Sequence, residues 1–247
     1  MDNTTYIALS RIDVLTRALD LTVNNLANAN TDGFKTSKQL FSEFLVHQKD
    51  VHGLAGEKDE AYTQDQATYQ DHLQGELRQT GNLTDFAING EGFFSVRTTQ
   101  GVRLTRSGQF HIRSDGTLTD GSGNPLLDTN GRNIVIPPQD EILSVASDGT
   151  ISTQNGVSST IGLVTVDNLN TLQQEGNYLL RPTTATHTVA RKEIRQAMLE
   201  SSNVNSVSEA TKMVEIQRDY DLNFQLIQTE ATRRQNAIDK ITTEPSA

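Results

Sequence analysis

The hydrophobic period of this chain changes twice along its length, and that change constrains the fold more than any other feature. From Tyr6 to Ala29 the apolar residues Ala8, Ile12, Leu15, Leu19, Val23 and Leu26 recur at spacings of three or four. That spacing lays them along one stripe of an amphipathic helix. Asp2, Asn3 or Thr4 can cap its start, because a side-chain oxygen there accepts from a free backbone N–H. Asn28, Asn30 and the Asp32-Gly33 pair end it, with Gly33 read as the left-handed cap. The last segment repeats the pattern. Ser206 and Glu209 have capping-box spacing. Met213, Ile216, Tyr220, Phe224, Ile227, Ala231, Ile238 and Ile241 then recur at three, four or seven residues. No Gly or Pro interrupts the run before Pro245. At a rise of ~1.5 Å per residue the helix is ~50 Å long.

The middle of the chain follows other rules. Asn89-Gly90, Asp115-Gly116, Asp120-Gly121, Asn130-Gly131, Asp148-Gly149 and Asn155-Gly156 punctuate it. Such pairs supply the positive φ angles of tight hairpin turns. Between them lie short β-rich runs at Phe93 to Arg97, Gln109 to Arg113, Ile134 to Ile136 and Ile161 to Val166. Short strands with turns this frequent predict an antiparallel β domain. The stretch from His47 to Asn82 is polar and nearly aperiodic, which reads as a connector or as an arm ordered by a partner.

The spacing therefore predicts an α+β chain. Residues 1–35 form an N-terminal helix and 36–82 an extended connector or arm. Residues 83–190 form the β-rich domain, and 191–247 a C-terminal connector and long helix. The two stripes suit pairing as a coiled-coil-like inner domain, with the antiparallel β domain inserted between them. On pattern alone two arrangements stay open. The helices pack on their own β domain as a hairpin, or they protrude and pack against helices of other subunits. A stripe of ~50 Å is longer than a small β domain can cover, which favours protrusion.

Composition excludes several functions. The formal net charge is -10, whereas a phosphate-binding surface needs concentrated Lys and Arg. Nucleic acid is not an expected partner. There is no Cys, so disulfides and thiolate metal sites are excluded. No run of about 20 apolar residues exists, so no direct membrane insertion is expected. Met1 to Ser10 lacks the basic and apolar regions of a cleaved secretory signal. Gly90-Glu91-Gly92 lacks the third Gly, the preceding strand and the following helix of a phosphate loop. It reads instead as a tight turn placing Phe93 and Phe94 in the β core. The loops at Asp120 to Asn124 and Asp128 to Gly131 lack the ligand spacing of a calcium site. His47, His52, His72, His111 and His187 have no metal-binding spacing. Carboxylate pairs such as Asp59-Glu60 fall in polar segments. No catalytic, cofactor or metal residue is expected, and no enzyme reading has residue-level support.

Four blocks carry a family resemblance. They are Asn24-Asn25-Leu26-Ala27-Asn28-Ala29-Asn30-Thr31-Asp32-Gly33-Phe34-Lys35, Asp85 through Val96, Leu104-Thr105-Arg106-Ser107-Gly108-Gln109-Phe110, and Leu199-Glu200-Ser201-Ser202-Asn203-Val204-Asn205 followed by Met213 through Tyr220. In this order they resemble the signatures of the bacterial flagellar rod and hook protein family. The opening residues and short length are most similar to proximal-rod members, with distal rod or hook subunits as the alternative. The resemblance implies terminal helices forming an inner domain and a β domain lying outside it. It also implies a structural subunit of the periplasmic rod that transmits torque. Such subunits leave the cell through the flagellar type III export apparatus and assemble with copies of themselves and with other rod proteins. Stripe and resemblance together nominate subunit-interface residues: Ile12, Leu15, Leu19, Asn24, Asn25, Leu26, Asn28, Gly33, Phe34, Asn203, Val204, Met213, Ile216, Tyr220, Phe224 and Ile227. The rival reading is a secreted β-rich binding module with a helical stalk.

Overall fold

A computed structural model of the chain describes residues 3–48, 58–137, 143–176 and 178–243. Asp2, His52, Pro245 and the 49–57 part of the connector, all invoked above, lie outside these residues. The elements run α1 (Asn3–Ala27), β1 (Ser37–Gln48), β2 (Lys58–Gln70), β3 (Leu77–Gln79), β4 (Phe86–Ile88), β5 (Phe93–Thr98) and β6 (Gly101–Thr105). Then come β7 (Phe110–Ile112), β8 (Leu118–Asp120), β9 (Ser144–Val145), β10 (Thr150–Thr153), β11 (Gly156–Thr160) and β12 (Leu163–Val166). The chain closes with β13 (Leu172–Glu175), β14 (Leu179–Pro182), β15 (Thr186–Thr188), β16 (Ile194–Gln196), β17 (Met198–Glu200) and α2 (Ser206–Thr243). The chain is α+β, and it divides into two compact units. One comprises Met1–Ala27, Ser37–Tyr69 and Asn205–Ala247, and the other Asn28–Thr36 and Gln70–Val204.

In the first unit α1 and α2 pack antiparallel. Thr5 near the start of α1 accepts from Arg234 Nη2 at 2.7 Å, near the end of α2. Asn25 near the end of α1 donates to Glu209 in the first turn of α2. Ala8, Val14, Thr22 and Asn25 are the buried positions of α1. From α2, Met213, Ile216, Asn223, Ile227 and Arg234 are half-buried. With 38 residues, α2 is ~57 Å long. Its cap is displaced by one residue from the expected capping box. Asn205 Oδ1 accepts from Ser208 N at 3.0 Å, so Asn205 caps and Ser206 starts the first turn. Glu209 is thereby released from capping, and its carboxylate turns to Asn25. The segment expected as a connector holds β1 and β2, which pair as a two-stranded sheet.

The second unit is built from antiparallel strands. Its six-stranded sheet has the order β13-β14-β6-β5-β12-β15, and smaller ladders join β16 to β4, β17 to β3, β7 to β8, and β11 to β10 to β9. Phe86, Ile88, Phe94, Val96, Phe110, Leu118, Leu126, Ile134, Ile151, Ile161 and Leu163 pack in one core. Phe94 meets Phe110 edge-on at 5.4 Å between ring centroids. Phe93, on the other face of β5, packs with Leu104 and Leu180 in a second cluster. Ile134 to Ile136 is not a strand. Val135 makes an isolated bridge to Thr117, while Ile134 and Ile136 stay buried.

The Asx-Gly turns form, with a geometry other than the paired positive φ of a two-residue hairpin. Gly116, Gly131, Gly149 and Gly156 have positive φ, but no Asn or Asp among the described residues does. The Asx side chains hold the turns instead. Asp115 Oδ1 accepts from Thr117 N at 2.9 Å, and Asp148 Oδ1 from Thr150 N at 2.9 Å. Those backbone donors hold both exposed carboxyls below the usual carboxylate range. At Asp120 the loop is longer. Its Oδ1 accepts from Ser122 N and Asn124 N, and Gly123 rather than Gly121 takes the positive φ.

Gly108 is required by close approach. A Cβ there would lie 1.5 Å from the Phe86 carbonyl oxygen, while Phe86 N donates to Gly108 O at 2.9 Å. The two core aromatics Phe86 and Phe110 are thereby set 5.9 Å apart. Phe110→Ala removes the ring shared by both contacts. Urea denaturation followed by circular dichroism is expected to show a loss of about 3–5 kcal/mol. His111→Ala, on the exposed side of the same strand, should stay within about 0.5 kcal/mol. Equal losses at the two positions would contradict the packing described.

Candidate functional site

Two constellations hold the residues of the four sequence blocks. The first lies in the β unit, around the Glu200 carboxylate. Its side chain has no solvent exposure, and three donors converge on it. Lys35 Nζ and Gly75 N donate to Oε1, and Arg106 Nη1 donates to Oε2 at 3.0 Å. Arg106 Nη2 continues to Gly90 O at 2.7 Å, and its guanidinium lies 5.3 Å from the Phe93 ring centroid. Lys35 Nζ also reaches Leu73 O at 2.7 Å. Asn203 extends the network. Its Oδ1 accepts from Thr36 N and Thr36 Oγ1, each at 2.8 Å, and its Nδ2 donates to Asp71 O at 2.8 Å.

Burial is the main force on the Lys35 ammonium and lowers its pKa from the ordinary value, against the raising effect of Glu200. His72 sits beside this group, its ring edge 6.0 Å from Phe93. Burial, then the Lys35 and Arg106 cations, hold its imidazole below its ordinary value, with Asp71 and the Leu169 backbone opposing. With donors on both carboxylate oxygens, Glu200 organises the segments around it.

Gly33 belongs to this constellation and is not the cap of α1, which ends at Ala27. Its φ is +77°, and a Cβ would lie 2.5 Å from Ser107 N. Its own N–H donates to Glu200 O at 2.6 Å. The left-handed conformation therefore serves a close approach to residues 106 and 107.

The second constellation is the helical unit. Asn25 is buried, and its amide is fully used inside the chain. Oδ1 accepts from Ser37 N at 2.9 Å, and Nδ2 donates to Ser37 O at 2.9 Å and to Glu209 Oε2 at 3.2 Å. Large apolar side chains remain outside the helix pair. Leu9 on α1 is 57% exposed, and Leu222 on α2 is 63% exposed. Tyr6, Val23, Val214, Leu226 and Ile238 are exposed as well. Tyr220 and Phe224 stack on each other at 6.5 Å. No helix among the described residues is long and apolar enough to cross a membrane.

The nominated interface residues thus fall into three environments. Ile12, Leu15, Leu19, Leu26, Met213, Ile216 and Ile227 are half-buried in the helical unit, and Asn25 is buried there. Asn24, Tyr220 and Phe224 are exposed. Asn28, Gly33, Phe34, Asn203 and Val204 fall in the β unit, where Gly33 and Phe34 are buried. Sequence reasoning assigns no role to Lys35, Arg106 or Glu200, although each sits inside a quoted block. The available signal is a charged residue type fixed within an otherwise small and polar motif.

Comparison with known proteins gives a consistent result. The "Flagella basal body rod protein" family model matches residues 6–35. The "Flagellar hook protein FlgE/F/G D1 domain" model matches 87–153, and the "Flagellar basal body rod FlgEFG protein C-terminal" model matches 195–240. The flagellar basal-body rod protein FlgF of Caulobacter vibrioides is 37% identical over 243 residues, covering 98% of each chain. FlgF of Mesorhizobium japonicum is 31% identical, covering 96% of this chain and 97% of its own. The flagellar basal-body rod protein FlgG of Bacillus subtilis is 31% identical, covering 91% and 93%.

Removing the Glu200 charge leaves two buried cations uncompensated, a change that costs about 3–5 kcal/mol. Glu200→Gln is expected to lose that much in urea denaturation, and Lys35→Met less, because Arg106 and Glu200 then remain as a balanced pair. A larger loss for Lys35→Met would contradict the central place of the carboxylate. His72 adds a pH dependence. With its folded pKa lowered, the unfolded chain binds the proton more readily, so stability falls as pH drops below about 6.5 and stops falling below the folded pKa. His72→Gln should flatten the stability profile in this window, measured by denaturation at pH 5 to 7.5. An unchanged profile would rule out His72 as the group responsible.

Proposed function

We propose, since this chain belongs to the family of flagellar basal-body rod proteins, that it is a structural subunit of the proximal rod which assembles through its two terminal helices and carries torque along the rod. The exposed apolar side chains of the helix pair carry this reading. Leu9, Leu222, Phe224, Leu226 and Ile238 remain in water in the single chain. Those of α2 lie on more than one side of the helix, with Leu222 and Leu226 one turn apart on the same side, and apolar surface left exposed in this way marks interaction surfaces. Their burial against neighbours at about 25 cal/mol per Å² supplies a driving force for assembly. The proximal position is favoured by the FlgF relatives, one of which matches nearly end to end.

In this reading the helical unit is the inner domain and the β unit the outer one. Further helices from copies of the chain and from other rod proteins join α1 and α2 in coiled-coil-like packing. The subunit reaches the periplasm through the flagellar type III export apparatus, without a cleaved signal peptide. Its work is mechanical, and no catalytic step is assigned to it.

Leu222→Asp tests assembly with little disturbance within the chain, because the residue is already exposed. In cells lacking the native copy, the variant is expected to be produced and folded but missing from purified basal bodies, with swimming abolished. Basal bodies that contain the variant at native levels would overturn the reading.

A further inference from the structure

The helical unit contains a cavity of about 240 Å³, lined by Leu21 of α1, Gln39 of β1, Tyr69 of β2 and Ile216 of α2 among others. Both the nitrogen and the oxygen of the Gln39 side-chain amide are cut off from solvent, with no hydrogen-bond partner among the described residues. A buried amide in that state bears the full cost of desolvation, and such a group in a native fold calls for an explanation. Gln39 is half-buried as a residue and borders the cavity, so its amide lies next to whatever occupies that space. Lys38 and Lys212 line the same cavity, although the chain as a whole carries a net charge of -10. Lys212 is over half exposed and held loosely by Glu209 at 3.6 Å.

The complementary surface is on the chain itself. Val214, Gln217, Asp221, Gln225 and Gln228 are all exposed. Their spacings of three and four put them on one face of α2, away from the half-buried Ile216, Asn223 and Ile227. Asp221 and Gln225, one turn apart, present a carboxylate and an amide together. The amide is the group that Gln39 lacks, and the carboxylate offers Lys212 a partner besides the loosely held Glu209. Two facing amides satisfy each other's donor and acceptor.

Resting on the assembly reading above, we propose that this cavity is a socket for the outward face of α2 from a second copy of the chain, with Gln225 meeting Gln39 and Asp221 meeting Lys212. Docking gives the Gln39 amide the partners it lacks in the single subunit. Because Gln39 and Gln225 are then on different chains, each copy offers both a socket and a plug, and the contact repeats from copy to copy.

The chain has no Cys, so single cysteines report cleanly. Gln39→Cys and Gln225→Cys chains, tagged to differ in mass, are co-expressed and treated with a short bismaleimide in isolated basal bodies. A mixed dimer is expected that is absent when either variant is present alone. Lys212→Asp and Asp221→Lys, each expected to cut incorporation at least fivefold, should recover it when the two chains are co-expressed. Normal incorporation without a mixed dimer, a cross-link only to a protein of another mass, or no recovery by charge exchange would each overturn the socket. Leu222→Asp separates this from the broader reading. If it still blocks assembly while the socket tests fail, only the socket is lost. If it assembles normally, assembly through the helices is lost as well.

Discussion

A carboxylate sealed from water must have its charge answered from inside the protein, and Glu200 imposes that demand on most of the β unit. Its partners come from three distant stretches of chain. Lys35 lies just before β1, Arg106 just after β6, and Gly75 between β2 and β3. Residues 28–36 bring the chain into this unit and residues 197–204 take it out, so the ion cluster ties entrance to exit. Asn203 repeats the tie by gripping Thr36 and the Asp71 carbonyl. Gly33 is small because the backbone must approach residues 106 and 107 closely beside this cluster, and not because a turn needs its freedom alone. A buried cluster with more positive than negative groups is weak evidence for stability. Its effect is to fix one arrangement of segments that share no periodic pattern.

The helical unit follows the opposite logic. Its interior is thin, and much of its apolar surface stays in water. Leu222 and Leu9 are more exposed than a soluble helix pair requires. Asn25 compensates for the thin interior by fixing register with hydrogen bonds rather than area. It pins the end of α1 to the start of β1 through the backbone N–H and carbonyl of Ser37, and to α2 through Glu209. Hydrophobic contact alone leaves two long helices free to slide. A buried amide whose partners exist in one register only removes that freedom.

Much of this was legible in the residue order. The stripe from Ala8 to Leu26 and the run from Met213 to Ile227 located both helices, because a period of 3.6 survives in sequence. Phe93 and Phe94 were readable as core because the turn at Gly90 and Gly92 precedes them. The strands β1 and β2 were not, since their side chains show no alternation and the ladder is made by backbone groups. Nor was the cluster at Glu200. Lys35, Arg106 and Glu200 are residue types that ordinarily face water, and the contacts among them span 94 and 165 positions. Asn205 displaced Ser206 as the cap because both residues can accept the bond, and only the path of the preceding chain decides between them. Gln39 carries no local pattern at all, since its isolation appears only after four elements have come together.

The two helices of the first unit lie at opposite ends of the sequence, with the whole β unit between them. The contact of α1 with α2 is therefore the most non-local in the molecule, and loop-closure entropy delays such contacts until the intervening chain has folded. A chain that stops just after residue 204 has its β unit in hand but no partner for α1. The pairing thus marks a chain that has been made through to its last helix, because α1 gains its partner only then.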